Sequence, residues 1–514
     1  MTKLEKNATK LVKTFHKAGF QALFAGGYVR DKILKRSIHD IDIATNAGPE
    51  EIKKILDKNK IKHIEIGEKF GVIAAVMPKE LKVSRLLSAR LKTSRSGQKS
   101  EKSHVFEIAT FREEFGSEDF RRPKKVRFDV TPEEDATRRD FTINGMFLDI
   151  KNENLKTNSY GMSSLYTVTK KYKWGTVTDY VGGLEDLKNK IIRFIGDPDE
   201  RIKEDALRMI RAVRFSAQIN FEIEEKSYKA ILKNKHLIEK ISAERVRDEL
   251  NKILVSNNPR MGIELLDDLG FIKILIPELI KGKNTPQPKN EHLEGSVWNH
   301  TLLALDKISL RPSHPRKKEE DPIFCWAVLM HDVGKPYTIQ TPEEHGTDRI
   351  RFSGHDNEGA KIAKRIMRRL KFSNSEMNKV AWLVKYHMIF SNFFKMREAK
   401  RIRYLTHPYF EDLLELFWVD ANSSVRSDRY GNPLPPELSA YKRAKKILEK
   451  EKTKPKLPKP VIRGNDVMKI MGIEKGNNKV GEILRKVYDE QLENKFKTKK
   501  EGLILIKKLL KKKR

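Results

Sequence analysis

Apolar positions in the first part of the chain switch between two periods. Residues 3–19 place apolar side chains at helical spacing, and Gln21 to Ala25 then forms a short apolar run that stops at Gly26-Gly27. A second short strand fits Ile41 to Ala44. An Asn-Ala-Gly-Pro break follows it, and Pro49 to Lys58 reads as a helix with Glu50 and Glu51 in its first turn. Further strands fit Gly71 to Met77, Val105 to Thr110 and Met146 to Ile150, so this part is mixed α/β. From Glu185 onward strand patterns nearly vanish and helical spacing takes over. Ser84 to Ser103, rich in Lys, Arg and Ser, and Asn152 to Lys173 show neither period and read as surface insertions.

A chain of 514 residues exceeds what one core holds, so several domains are expected. Breaks fall at Lys281 to Asn290 and at the proline-containing linker Lys452 to Pro460, while Arg311 to Asp321 reads as a loop inside a domain. The expected organisation is α+β: a mixed α/β head at 1–183, with insertions near 84–103 and 152–173, and a helical neck and body at 184–280. A third, all-helical domain fits 288–450 and a basic helical tail 460–514.

Charge narrows the class of partner. A formal net charge of +34 makes the chain a polycation suited to a polyanion, and Lys and Arg contacts to phosphate release counterions. The single cysteine, Cys325, lies in the apolar run Ile323 to Met330, which excludes an intrachain disulfide or a cysteine-rich zinc site and predicts a core thiol. The first residues carry scattered lysines with no apolar leader core, and no stretch reaches about 18 apolar residues, so a cytoplasmic protein without a membrane partner is expected.

Chemistry-bearing residues gather at the breaks of the head. Gly26-Gly27-Tyr28-Val29-Arg30-Asp31 follows the first strand, where paired glycines let backbone N–H groups approach a phosphate and the next helix offers its positive end. The same pair serves equally as a plain turn before a helix. Asp40 and Asp42 add a second feature. Residues two apart in a strand face one side, so the carboxylates converge while Ile41 and Ile43 turn to the core. Such a pair suits Mg²⁺ held against a triphosphate, activating a 3′-hydroxyl and stabilising pyrophosphate as it leaves.

With these residues the sequence resembles the nucleotidyltransferase superfamily, and within it the bacterial-type (class II) CCA-adding enzymes and the bacterial poly(A) polymerases. The likeness continues through Glu107-Ile108-Ala109-Thr110-Phe111-Arg112, Arg138-Arg139-Asp140-Phe141-Thr142-Ile143-Asn144, Tyr180 to Leu187, Glu204 to Arg208, and Ala243-Glu244-Arg245-Val246-Arg247. It implies a palm-type head that transfers CMP and AMP from CTP and ATP to the 3′ end of tRNA, using Mg²⁺. By the resemblance, Gly26, Gly27 and Arg30 match the triphosphate loop, and Asp40 with Asp42 match the catalytic metal pair. Glu107 either supports the metals or pairs with Arg112. Arg138, Arg139, Asp140 and Asn144 belong to the segment that holds the ribose. Two departures stand out: Ser84 to Ser103 has no counterpart, and Gly145 replaces a more usual alanine.

Residues 203–217 read as one helix opened by Asp197-Pro198. At about 100° per residue, Glu204, Asp205 and Arg211 fall within about 60° of Arg208, with Arg214 about 120° away. By pattern alone that stripe is a salt-bridged solvent face. The resemblance instead implies nucleotide-binding roles for Glu204, Asp205 and Arg208, with Asp205 and Arg208 matching the edges of cytosine and adenine.

Farther along, His300, the pair His331-Asp332 and the distant Asp420 stand in an order that resembles the HD phosphohydrolase family. The resemblance implies a divalent transition metal or Mg²⁺ on these four, with His355 and His387 as candidates for a second metal or for phosphate. Imidazole mixed with carboxylate suits Mn²⁺, Ni²⁺, Fe²⁺ or Mg²⁺. The tail from Pro460, ending in the basic run Lys511 to Arg514, reads either as a small tRNA-contacting module or as a solvated basic tail. Rival functions are a poly(A) polymerase, an enzyme restricted to CC or A addition, an HD phosphohydrolase with a degenerate head, and a tRNA chaperone without chemistry. The Asp40/Asp42 pair argues against the last two, and the Glu113 to Pro132 loop with the Glu204/Asp205/Arg208 set favours full CCA addition.

Overall fold

The computed structural model of the chain describes residues 1–67, 71–77, 103–116, 125–150, 167–312, 321–428, 430–450 and 457–511. The chain forms two compact units, Met1–Glu249 with Asp268–Gly270, and Leu250–Asp267 with Phe271–Arg514. The expected neck and body segment, 184–280, is thus shared between the two.

In the first unit the strands are β1 (Ala22–Ala25), β2 (Asp42–Thr45), β3 (Lys62–Gly67), β4 (Val72–Met77) and β5 (His104–Thr110). They continue with β6 (Glu113–Phe115), β7 (Lys125–Arg127), β8 (Phe147–Asp149), β9 (Val168–Tyr172) and β10 (Gly175–Asp179). Eight of them form one sheet of order β3-β4-β5-β2-β1-β8-β10-β9, and β6 with β7 forms a separate hairpin. Neighbours run antiparallel except β2 and β5, which are parallel with Ile43 opposite Ile108. Phe24, Phe106, Phe111 and Phe147 are fully buried in this unit. Both edge strands carry lysines, the usual guard against pairing with another chain.

Helices of this unit are α1 (Lys3–Lys17), α2 (Gly27–Ile33), α3 (Pro49–Lys58), α4 (Pro132–Thr137), α5 (Gly183–Asn189), α6 (Pro198–Glu204), α7 (Arg208–Ile219), α8 (Glu225–Asn234) and, as far as Glu249, α9 (Ala243–Leu254). The expected helix over 3–19 is α1, started by a reciprocal cap between Thr2 and Glu5, and α3 has the bounds that its Pro49 start predicts.

Two expectations are corrected. The Asn152 to Lys173 segment is not wholly a surface insertion, because Val168–Tyr172 pairs along β10 as an edge strand; its V-T-K-K-Y run is mostly exposed and so shows no apolar alternation. Most of that segment, and of Ser84 to Ser103, lies outside the described residues. The helix expected over 203–217 is two helices. Asp205 is extended at φ −146° and ψ 102°, so α6 ends at Glu204 and α7 begins at Arg208. The Gly145 departure has a packing reason: a Cβ there would stand 2.5 Å from Val181 Cγ2.

In the second unit the helix Pro322–Met330 is apolar on every side and buried from Ile323 to Met330, Cys325 included. Helices Val297–Lys307, Asn374–Tyr386 and Phe410–Ser423 pack against it, and His355–Arg369 packs on Asn374–Tyr386. The tail is a folded helical element. Helices Gly464–Met471, Asn478–Leu492 and Lys499–Lys511 enclose a core of Ile462, Val467, Val480, Ile483, Val487, Phe496 and Ile506.

Candidate active site and metal centre

Strand β1 ends at Gly26, whose φ of +65° suits glycine, and α2 starts at once. A side chain at Gly26 would stand 3.3 Å from Arg139 Nη1 and 3.6 Å from Asp42 Oδ2, so the turn, the guanidinium and the carboxylate face one small space. Asp42 opens β2, and Asp40 lies in the extended approach to it; both are exposed while Ile41 and Ile43 are buried, as the alternation requires. With Ile43 opposite Ile108, Glu107 on β5 falls in the same row as Asp42. Loss of hydration, then the Glu107 carboxylate, push Asp42 up to about 6, with Asp40 adding and Arg139 opposing. Three carboxylates crowded against one cation-seeking space suit divalent metal. Arg112, the other partner considered for Glu107, bonds Glu114 at 2.7 Å.

The ribose-matching segment follows α4. Buried Asp135 holds Arg138 at 2.6 Å and Arg139 at 2.9 Å, with Arg138 also 3.3 Å from Glu114. Arg30 is buried, its guanidinium bonded to both oxygens of Asp31 and, at 2.8 Å, to Asn144. Asn144 reaches Asp140 at 3.2 Å, and Arg211 bonds Asp140 with Nε at 3.0 Å. Burial works against a charge on Asp140, but Arg211 and Asn144 hold it well below the usual carboxylate range. Arg30 therefore braces the glycine turn from inside.

The break at Asp205 changes the geometry expected of the base-reading set. Asp205 and Arg208 do not share a helical stripe. Arg208 Nη1 bonds Glu204 at 2.5 Å and the Arg201 carbonyl at 2.9 Å, and Asp205 is held by Arg245 at 2.7 Å. Arg211 turns to Asp140 and Arg214 to Glu249, so neither joins a solvent face.

In the second unit His300, His331, Asp332, His355, His387 and Asp420 come together as two triads. His300 Nε2 lies 3.1 Å from His331 Nε2 and 3.1 Å from Asp420 Oδ1; His355 Nε2 lies 3.2 Å from His387 Nε2. Asp332 stands between them, with Oδ2 3.3 Å from His331 and Oδ1 3.6 Å from His387 and 3.7 Å from His355. Ligands on bonds of about 2.1 Å are about 3.0 Å apart at right angles and about 3.4 Å at the tetrahedral angle, so each set has the spacing of one ion's shell. Each histidine aims Nε2 inward and gives Nδ1 to an orienting acceptor: Glu294 for His300, and the carbonyls of Val328, Phe352 and Val384 for His331, His355 and His387. Burial disfavours charge on His300, yet its bonds to Asp420 and Glu294 push it up to about 9, while burial and the neighbouring His387 pull His355 down to about 4. The residues fit divalent metal. A cleft of about 510 Å³ opens on Asp332, His355 and Asp420, with Lys335, Arg351 and Arg426 among its walls.

Family models match three stretches of the chain. The poly(A) polymerase head domain matches residues 22–193, the probable RNA- and SrmB-binding site of polymerase A matches 220–282, and the HD domain matches 297–408. The chain thus carries a poly(A) polymerase head domain, an RNA-binding segment and an HD domain in that order, and it is similar to CCA-adding enzymes. It is 37% identical over 303 residues to the CCA-adding enzyme of Lactobacillus helveticus, covering 58% of this chain and 63% of that one. It is 39% identical over 263 residues to that of Ligilactobacillus salivarius, covering 51% and 52%. The chain thus spans between about half and two thirds of the length of these curated relatives. The fold is that of the Bacillus stearothermophilus CCA-adding enzyme solved in complex with CTP, at TM-score 0.65 and 21% identity over 100% of this chain and 99% of that one. Among the described residues no helix is long and apolar enough to cross a membrane.

Sequence reasoning missed several members of these sites. Asp135 carried a usable signal, since it stands three and four residues before Arg138 and Arg139 on one helical turn. Lys335, buried and 2.7 Å from Asp332, likewise follows it at a spacing of three. Glu294 lies in a loop and left no periodic trace.

Proposed function

We propose that this chain is a tRNA nucleotidyltransferase that adds CMP and AMP, taken from CTP and ATP, to the 3′ end of tRNA in the cytoplasm without a nucleic-acid template. The observation that carries this reading is the convergence of Asp42, Glu107 and the Gly26 turn beside Arg139, with Asp40 next to them. Asp40 and Asp42 would hold Mg²⁺, which supplies charge neutralisation at the reacting phosphate. Gly26 and Gly27 give the triphosphate close access to backbone, with Arg139 as its cation and Arg30 behind the turn. Arg138, Asp140 and Asn144 frame the ribose. Base choice follows from donor pattern: cytosine and adenine both present an exocyclic amine where uracil and guanine present a carbonyl. The Asp205 carboxylate accepts from that amine and Arg208 donates to the adjacent ring nitrogen; Glu204 steadies Arg208.

Incubating the protein with tRNA lacking its last three nucleotides, with CTP, ATP or both, and sequencing the products tests this. Ordered C, C, A addition is expected; adenylate tracts would point to a poly(A) polymerase, partial ends to a CC- or A-restricted enzyme, and no extension would defeat the reading.

A second activity is favoured by the two triads around Asp332. With divalent metal on His300, His331, Asp332 and Asp420, and a second ion on His355 and His387, the cleft suits hydrolysis of a phosphate ester such as a 2′,3′-cyclic phosphate or a 2′-nucleotide. Unchanged phosphatase activity and metal content in His331→Ala would leave the cluster a structural one.

A further inference from the structure

The segment Ala243 to Arg247 opens α9. Its Arg245 meets Asp205 with a two-pronged contact, Nη1 3.2 Å from Oδ1 and Nη2 2.7 Å from Oδ2. The Leu207 N–H adds a third donor, 3.1 Å from Oδ1. Asp205 sits in the gap between α6 and α7 with an extended backbone, so no helix fixes the direction of its side chain. Farther along α9, Glu249 takes Arg214 at 3.2 Å and stands 4.0 Å from Arg211, so the same helix also grips the first turns of α7.

We infer that Arg245 is a positioning residue that aims the Asp205 carboxylate and thereby sets which nucleotides are refused. The inference rests on the reading of Asp205 as a base-reading group. Among the described residues Oδ2 accepts from Arg245 Nη2 alone, which leaves an acceptor lone pair for the amine of cytosine or adenine. Aim matters most for the wrong bases. A carboxylate that can swing withdraws from the carbonyl oxygen of uracil or guanine and tolerates it, whereas one held by a rigid fork meets that oxygen at close range and repels it. The brace therefore acts chiefly by rejection, and its loss relaxes choice more than it slows the correct step.

The test is single-turnover addition to tRNA with each of the four nucleotides, comparing wild type with Arg245→Ala, Arg245→Lys and Asp205→Asn, with thermal midpoints measured alongside. Arg245→Ala is expected to lower discrimination against UTP and GTP by about tenfold or more while CTP and ATP addition changes less. Arg245→Lys, a point charge without the fork, should fall between, and it carries the test should the alanine variant not fold. A stapling role alone would lower the thermal midpoint and leave the nucleotide ratio unmoved. If Asp205→Asn loses selectivity and both Arg245 variants keep it, the inference is overturned and the template reading survives. If Asp205→Asn is also silent, the template reading falls and takes the inference with it.

Discussion

Replacing His387 by alanine should remove one metal ion of two and leave the other. The expectation comes from how Asp332 divides its oxygens: Oδ2 lies 3.3 Å from His331 and 3.7 Å from His300, Oδ1 3.6 Å from His387 and 3.7 Å from His355. One carboxylate thus serves two triads, and ions bridged this way sit about 3.5–4 Å apart, as in two-metal hydrolases. His387→Ala strips the second triad to Asp332 and His355 but leaves His300, His331 and Asp420 untouched. Wild-type protein loaded with Mn²⁺ or Ni²⁺ should carry two ions per chain by elemental analysis, His387→Ala one, and Asp332→Ala none. Each occupied site adds about 2.7 kcal/mol at a hundredfold excess over its dissociation constant. In a unit of this size that is a rise in melting temperature of roughly 5–10 °C per site, and the His387 variant should keep about half of the full increment. Two ions retained in His387→Ala, or one ion in wild type that ignores the substitution, would refute the bridged arrangement.

On the proposed reading, Asp42→Ala or Asp40→Ala should abolish nucleotide addition while tRNA affinity persists, because that reading sets the carboxylates at the reacting phosphate and draws affinity from basic surface spread over the chain; more than a few per cent of the wild-type rate in either variant sinks the assignment. Arg208→Ala should admit UTP and GTP more readily, by about tenfold to a hundredfold, in single-turnover addition, since it removes donors worth roughly 1–3 kcal/mol of discrimination. Asp140→Ala should cost about 2–3 kcal/mol, less than a fully buried pair because Arg211 is 30% exposed. Asp140 is held below its ordinary value, so its contribution is complete above pH about 4 and is lost as pH falls further. The gap between variant and wild type in urea melts should accordingly stay constant from pH 7 to 4 and close below that.

Elements with a strong local period were legible in the sequence. The α3 bounds follow from its proline and acidic first turn, β4, β5 and β8 from apolar runs, and the Pro322–Met330 helix from being apolar on all sides. Of the strands that the sequence did not suggest, β3 and β9 lie at the two edges of the sheet, where one or both faces meet water and alternation fades, β10 is a short strand inside it that starts at Gly175, and β6 and β7 form the separate hairpin. At the sites, first members were legible and their supports were not. Asp40, Asp42, His331 and Asp332 announce themselves by adjacency, whereas Glu294 and Arg245 act across 6 and 40 residues on His300 and Asp205. The gap at Asp205 is the sharpest failure of periodic reasoning. Nothing in K-E-D-A-L-R forbids a helix, and at the break Asp205 takes one local partner, the Leu207 N–H, and one tertiary partner, the Arg245 fork, in place of a helical neighbour.

That break also explains how the head and its base-reading turn are made to agree. A run of buried polar contacts leads from Arg30, behind the glycine turn, to Asn144 at 2.8 Å, on to Asp140 at 3.2 Å, and to Arg211 on α7. From Arg211 it passes to Glu249 on α9, the helix whose Arg245 fixes Asp205. Each member is a charged or amide group, all with little exposure except Arg211 at 30%, and removing one leaves its neighbour unsatisfied at a cost of about 1–3 kcal/mol. A rigid polar lattice of this kind holds the glycine turn and the Asp205 carboxylate in one frame. On the proposed reading the same few side chains tie nucleotide choice to phosphate placement, so substitutions along the lattice should disturb both together, where a substitution at Arg245 disturbs choice more than rate.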